Sequence, residues 1–136
     1  MDPVEVLLVE DNAGDAVLTR QTLAECPVDV HLHIARDGEQ ALMMLSNPDF
    51  KPDLIILDLN IPRIPGNVLL ERYQGQDTPI VVFSSSWNEA EIEHALSLGA
   101  REFVQKPTDI QAFIDAVVGI ILKWGVPGRG GAAIGA

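Results

Sequence analysis

An α/β fold with a parallel sheet covered by helices on both faces is predicted, and three observations predict it. Strand-like and helix-like stretches alternate along the chain to five of each, the pattern that right-handed crossovers turn into a parallel sheet. Three of the strand-like runs, Val4–Val9 (but for Glu5), Leu54–Leu57 and Ile80–Phe83, are apolar, as strands sandwiched between helices are. Each of these runs stops on polar or charged residues: Glu10-Asp11, Asp58 and Ser84. No internal repeat and no second domain is visible, and 136 residues at 47% hydrophobic content suit one core.

The elements follow in order. Val4–Val9 opens after Pro3 and ends on Glu10-Asp11-Asn12. Ala13 to Glu25 follows as an amphipathic helix, with Ala16, Val17, Leu18, Leu23 and Ala24 near helical spacing and Pro27 as its stop. Val28 to Ala35 alternates: Val30, Leu32 and Ile34 share one side, His31 and His33 the wetter other, so this is an edge strand. The two histidines are read as solvated residues in preference to a metal pair completed by His94, because zinc sites assemble three or four ligands. Asp37 caps a helix carrying Ala41, Leu42 and Leu45, which ends near Pro48.

After Pro52 comes the run that closes on Asp58, and Pro62 forbids its continuation. Gly66 starts a short helix through Val68, Leu69, Leu70 and Tyr73, ended by Gly75. Ile80–Phe83 runs out into Ser84-Ser85-Ser86. Asn88 to Leu98 is helical, its early glutamates suiting the positive end of the helix dipole and Gly99 its C′ position. Glu102-Phe103-Val104 is a short strand leading to Lys106-Pro107, after which Thr108 caps a last helix bearing Ile110, Phe113, Val117 and Ile121. Residues 1–124 form the domain, and 125–136 are a flexible Gly- and Ala-rich tail.

A parallel sheet aligns the C-terminal ends of its strands on one edge, where open α/β folds hold their ligands. Glu10, Asp11, Asp58, Ser84 and Lys106 therefore meet. Three carboxylates with ordinary pKa values near 4 are all ionised at neutral pH, and clustering them calls for a cation. An all-oxygen set without His or Cys suits Mg²⁺ (or Mn²⁺) rather than zinc. Phosphate chemistry follows, with Lys106 as a point positive charge, Ser84 as a hydroxyl donor and Asp58 as nucleophile. The formal charge of −11 opposes binding to a nucleic-acid backbone. The lone Cys26 and the lack of an apolar run of spanning length point to the cytoplasm, with no membrane contact.

Val9-Glu10-Asp11-Asn12, Leu57-Asp58-Leu59-Asn60-Ile61-Pro62, Phe83-Ser84-Ser85-Ser86 and Val104-Gln105-Lys106-Pro107 resemble the motifs of response regulator receiver domains of two-component signalling, in the same order and spacing from Val4 to about Trp124. The likeness is greatest to single-domain receivers, some of which partner bacterial phytochromes. The resemblance implies a flavodoxin-like sheet of strand order 2-1-3-4-5. It implies that Asp58 accepts phosphate from a sensor histidine kinase, that Asp11, Asp58 and the Asn60 carbonyl ligate Mg²⁺ with Glu10 helping through water, and that Lys106 pairs with the phosphoryl oxygens beside a cis Lys106–Pro107 bond. Ser84 and Phe103 match the switch pair that remodels the face of helix 4, strand 5 and helix 5 for a downstream protein or phosphorelay partner. Asn60 and Ser86 occupy the positions that tune phosphate lifetime.

Some residues depart from the family pattern. Glu10 replaces a more usual Asp, Pro65 precedes Gly66 where Asp is usual, and the third helix is short. Trp87 is expected on a partner surface, and Ile121 with Trp124 as exposed apolar positions for a homodimer. Two rival readings are weaker. An aspartyl phosphatase or phosphotransferase commonly carries a second Asp two residues on, where Asn60 stands and cannot serve as general acid. A phosphorylation-independent adaptor of the same fold would have a broken site, whereas here every main group is present. The chain is therefore expected to be a signalling domain and not a turnover enzyme.

Overall fold

A computed structural model describes residues 2–73, 76–86 and 88–125. Five strands, β1 (Val4–Val9), β2 (Val30–Ala35), β3 (Leu54–Leu57), β4 (Ile80–Ser84) and β5 (Glu102–Gln105), alternate with helices α1 (Ala13–Glu25), α2 (Gly38–Leu45), α3 (Gly66–Arg72), α4 (Glu89–Ser97) and α5 (Ile110–Ile120). All strand pairs are parallel, in the order β2-β1-β3-β4-β5, so the expected fold and strand order are the observed ones.

The period of two along each strand sends neighbouring residues to opposite cores. Val4, Val6 and Leu8 of β1, Leu54 and Ile56 of β3, and Val81 and Phe83 of β4 pack with Leu23 of α1 and with Phe113, Val117 and Ile120 of α5. Leu7, Val9, Ile55, Leu57, Ile80 and Val82 face the other way, onto Ala41, Leu69, Leu70 and Ala95 of α2, α3 and α4. Each fully buried aliphatic side chain contributes about 1.5–3 kcal/mol relative to exposure. Two such layers hold the strand ends in a fixed frame.

Several local expectations are corrected. In α1 the buried positions are Ala16, Thr19, Thr22 and Leu23, and Val17 is exposed. The two threonines can be buried because their hydroxyls donate to the Asp15 and Leu18 carbonyls, each at 2.8 Å. Asp109, not Thr108, caps α5: its carboxylate accepts from the Ala112 amide at 2.8 Å, and Asp is the stronger cap. Ile121 is fully buried, so the exposed apolar pair expected there does not exist. It opens a π-helical turn, Ile121–Gly125, so Gly125, expected in the tail, is buried in the fold. Trp124 in this turn donates from Nε1 to Glu102 Oε1 at 2.7 Å, tying the turn to the start of β5. The Lys106–Pro107 peptide is trans, the ordinary state of most X–Pro bonds. Trp87, Gly75 and the tail from residue 126 lie outside the described residues.

Other expectations match. The third helix is short, with seven residues, and Gly99 follows α4 with φ 108°, the left-handed C′ position. His31 and His33 do share a face of the edge strand, and each meets its own oxygen of Glu5 on β1, at 2.9 and 2.7 Å. The expected convergence of Glu10, Asp11 and Asp58 is not seen: among the described residues no three His, Cys, Asp or Glu side chains form a metal-binding group, with Asp11 exposed and Lys106 Nζ bonded to both Glu10 and Asp58.

Gly38, the first residue of α2, is required by a close approach. A Cβ there would stand 2.2 Å from the Ile64 carbonyl oxygen, while its amide donates to the Pro62 carbonyl at 3.2 Å. The loop after β3 thus lies directly on the start of α2. Gly38→Ala gains helix propensity but forces these backbones apart, and a net loss of about 1–3 kcal/mol is expected. Urea unfolding would show it as a lower midpoint at constant slope. An unchanged midpoint would mean the loop gives way freely.

Candidate functional site

The site is built where the sheet ladders run one residue past the strands. Glu10 N–H donates to the Ala35 carbonyl at 2.9 Å, Asp58 N–H to the Val9 carbonyl at 3.0 Å, and Lys106 N–H to the Ser84 carbonyl at 2.8 Å. The backbones of Glu10, Asp58 and Lys106 are therefore fixed by the sheet, and their side chains enter a common space at its C-terminal edge.

Lys106 spans that space. Its Nζ donates to Glu10 Oε1 at 2.6 Å, Asp58 Oδ2 at 2.8 Å and Asp15 Oδ2 at 2.9 Å. An ammonium has three N–H donors, so all are used. A compact head on a flexible stem suits this task better than a planar guanidinium. Asp58 Oδ1, the other oxygen, accepts from the Asn60 amide at 3.0 Å and from the Ser84 hydroxyl at 3.2 Å. Glu10 Oε2 accepts from the Asn12 amide at 3.1 Å. Glu10, Asp58, Ser84 and Lys106 are all buried, and among the described residues no buried side-chain nitrogen or oxygen lacks a partner.

Charge and burial set the protonation of the cluster. Burial pushes the Glu10 carboxyl up to about 7, against the pull of Lys106 and with the charge of Asp58 adding to the rise. Burial acts on Asp58 in the same direction, yet its hydrogen bonds from Lys106 and the Asn60 amide hold its carboxyl below the ordinary value. Burial works against the charge of Lys106, and its carboxylate partners overcome it and raise its pKa.

The structure brings together Glu10, Asp58, Lys106 and Ser84, as expected, with the Asn60 backbone touching Asp58. The Asp11 side chain stays exposed outside this hydrogen-bonded group, although its carbonyl accepts from Arg36 at 3.5 Å. Ser84 and Phe103 lie on adjacent strands, with Val82 paired to Phe103 and Ser84 to Gln105, and Phe103 packs partly buried against the α2–α4 core. The Ser86 hydroxyl bonds to Glu91 at the start of α4, and its amide donates to Ser84 Oγ at 3.4 Å.

Sequence reasoning missed Asp15. It resembles an ordinary first-turn acid, and its amide does complete the Asn12 cap at 2.9 Å. The available signal was topological: a helix following a parallel strand starts at the same sheet edge on which the strand ends, so a first-turn acid of α1 stands beside Glu10.

The family model of the response regulator receiver domain matches residues 6–118. The chain belongs to the response regulator receiver family. It is thus a phosphorylation-accepting receiver of two-component signalling, and signalling rather than catalysis is the role of this domain. Similar receivers include the response regulator Rcp1 of Synechocystis, 33% identical over 131 residues that cover 90% of this chain and 89% of Rcp1. The crystal structure of the phosphorylated cyanobacterial phytochrome response regulator RcpA superposes with TM-score 0.85 at 31% identity, covering 90% of this chain and 94% of that one. Mn²⁺-bound Rcp1 gives 0.84 at 29% identity over 92% and 96% of the two chains. A protein-glutamate methylesterase/protein-glutamine glutaminase of Geobacter sulfurreducens is 34% identical over 109 residues, but the match spans only 29% of its length. Among the described residues of the receiver no helix is long and apolar enough to cross a membrane.

Proposed function

We propose that Asp58 is the phosphoacceptor, taking a phosphoryl group from the phosphohistidine of a sensor histidine kinase. The observation that carries this reading is the buried carboxylate at the end of β3, with Lys106 Nζ at 2.8 Å from one oxygen and Ser84 Oγ at 3.2 Å from the other. An Asp58 oxygen attacks phosphorus, the P–N bond to the kinase imidazole breaks, and an acyl phosphate forms. Lys106 and Ser84 then supply donors to the phosphoryl oxygens, whose charge grows in the transition state. The rival aspartyl phosphatase is disfavoured because Asn60 stands where its second Asp would act as general acid, and Asn60 meets Asp58 through its backbone amide.

A divalent cation, Mg²⁺ or Mn²⁺, fits the donor set. Glu10, Asp15 and Asp58 place three carboxyl groups around one ammonium, so once Glu10 is ionised the cluster carries an excess of negative charge that a hard dication balances. Glu10, Asp11, Asp58 and the Asn60 carbonyl are the oxygens that would hold it, with Glu10 acting through water, and Mn²⁺-bound Rcp1 supports a divalent ion in this fold. When bound, the ion neutralises the carboxylates and the incoming phosphoryl oxygens.

Ser84 and Phe103 form the switch, Asn60 and Ser86 tune phosphate lifetime, and the face of α4, β5 and α5 is read by a downstream protein. The receiver works in the cytoplasm. A homodimer through Ile121 finds no support, because that side chain is buried.

Incubation with acetyl phosphate and Mg²⁺ tests the reading. The intact mass is expected to rise by one phosphoryl group, carried by the peptide containing Asp58; no gain, or a gain on another residue, rejects it. A second expectation concerns pH. Glu10, held at about 7, must lose its proton to become a ligand, so Mg²⁺ affinity rises from roughly pH 6 to pH 8 with a proton released near neutrality. Calorimetric titration in buffers of different ionisation heat reads that proton directly, and a pH-independent affinity would exclude Glu10 from the ion's site.

A further inference from the structure

Lys106 has no free N–H for a phosphoryl group, since Glu10, Asp58 and Asp15 take all three. One partner has to release it, and burial decides which. The side chains of Glu10 and Asp58 are 3% and 9% exposed, so water cannot take the place of the ammonium there without opening the core. The Asp15 side chain is 31% exposed on the first turn of α1, where water replaces a lost hydrogen bond at little cost. Asp15 is also the longest of the three contacts, at 2.9 Å.

We infer that Asp15 is the exchangeable partner of Lys106: it holds the third N–H in the unphosphorylated receiver and competes for it with the phosphoryl group. This rests on Asp58 being the acceptor. Asp15 then acts through Lys106 as a positioning residue, and its own charge at the solvent side also repels an anionic phosphoryl donor. Both effects slow phosphorylation, so removing the charge accelerates it. The sign distinguishes this role from a merely structural one, because loss of a supporting contact would slow the reaction.

The test compares the parent, Asp15→Asn, Asp15→Glu and Asp58→Asn in the full chain, with acetyl phosphate as donor at saturating Mg²⁺. Asp15→Asn is expected to take up phosphate about two- to five-fold faster, the range for losing one partly exposed ion pair. The gain should shrink in high salt, which screens the charge being removed. Asp15→Glu, which restores the carboxylate, is expected to stay near the parent rate. An Asp15→Asn rate equal to or below the parent, with circular dichroism unchanged, overturns the competition. If the parent itself takes up no phosphate, or Asp58→Asn takes it up equally, the acceptor assignment fails instead.

Discussion

Lys106→Ala is expected to lower the unfolding free energy by about 3–5 kcal/mol at pH 8 in chelated buffer, the size found when one member of a buried ion pair is removed. Against a typical total of about 5–15 kcal/mol this threatens the fold. The loss arises because Glu10 and Asp58 keep their burial and their mutual repulsion but lose the ammonium that both contact. Two dependences separate this cause from simple loss of packing. The sign of the first follows from Glu10, whose carboxyl is already raised to about 7 with the lysine in place. A group whose folded pKa is raised contributes stability at low pH and loses it as pH rises through the folded value. The penalty should therefore shrink toward pH 6, where Glu10 is protonated, and grow toward pH 8. The second is rescue by Mg²⁺, which binds the folded variant and restores stability by mass action, about 2.7 kcal/mol at a hundred times its Kd. Urea titrations at two pH values with and without Mg²⁺ measure both. A penalty that is independent of pH and indifferent to Mg²⁺ would show that the lysine stem, and not its charge, supports the core.

Asp58→Asn should behave in the opposite way, destroying phosphoryl uptake while sparing the fold. An amide oxygen at the Oδ1 position still accepts from the Asn60 amide and the Ser84 hydroxyl, while the NH2 group at the Oδ2 position gives up the hydrogen bond from Lys106, which keeps Glu10 and Asp15. Because one negative charge also leaves an overcrowded cluster, the net loss of stability is expected to stay near about 1–2 kcal/mol. An amide is not a nucleophile, so uptake from acetyl phosphate should fall to background, a loss of at least about three orders of magnitude by comparison with nucleophile removal in other proteins. Mass spectrometry beside a thermal melt gives both quantities. Substantial labelling of a well-folded Asp58→Asn protein would place the acceptor elsewhere in the cluster.

Placed together, the two variants separate charge from chemistry at one site. Lys106 neutralises buried acids and therefore matters to folding in the absence of phosphate. Asp58 is one of those acids, and the fold tolerates its neutralisation. The same electrostatic excess that makes a divalent cation welcome makes the unliganded domain depend on a single ammonium.

What the sequence by itself determined was the alternation of elements and the residues on which the strands end. An apolar run such as Leu54–Leu57 that stops on Asp58 is legible because burial on both faces and an abrupt carboxylate are local properties of the chain. Glu10, Ser84 and Lys106 were legible for the same reason, and the parallel sheet then brings strand ends to one edge. Local readings failed where a partner lay far along the chain. Asp15 and Lys106 are 91 residues apart, and nothing near either one marks the pair. Ile121 reads as the exposed end of a helix until the π-helical turn and the packing of α5 against the sheet bury it. Val17 and Thr19 exchange the places that hydrophobicity assigns them, because two threonine hydroxyls find acceptors within their own helix. Only the tertiary structure decided who shares the ammonium, since a carboxylate's partner is set by distance and exposure in three dimensions.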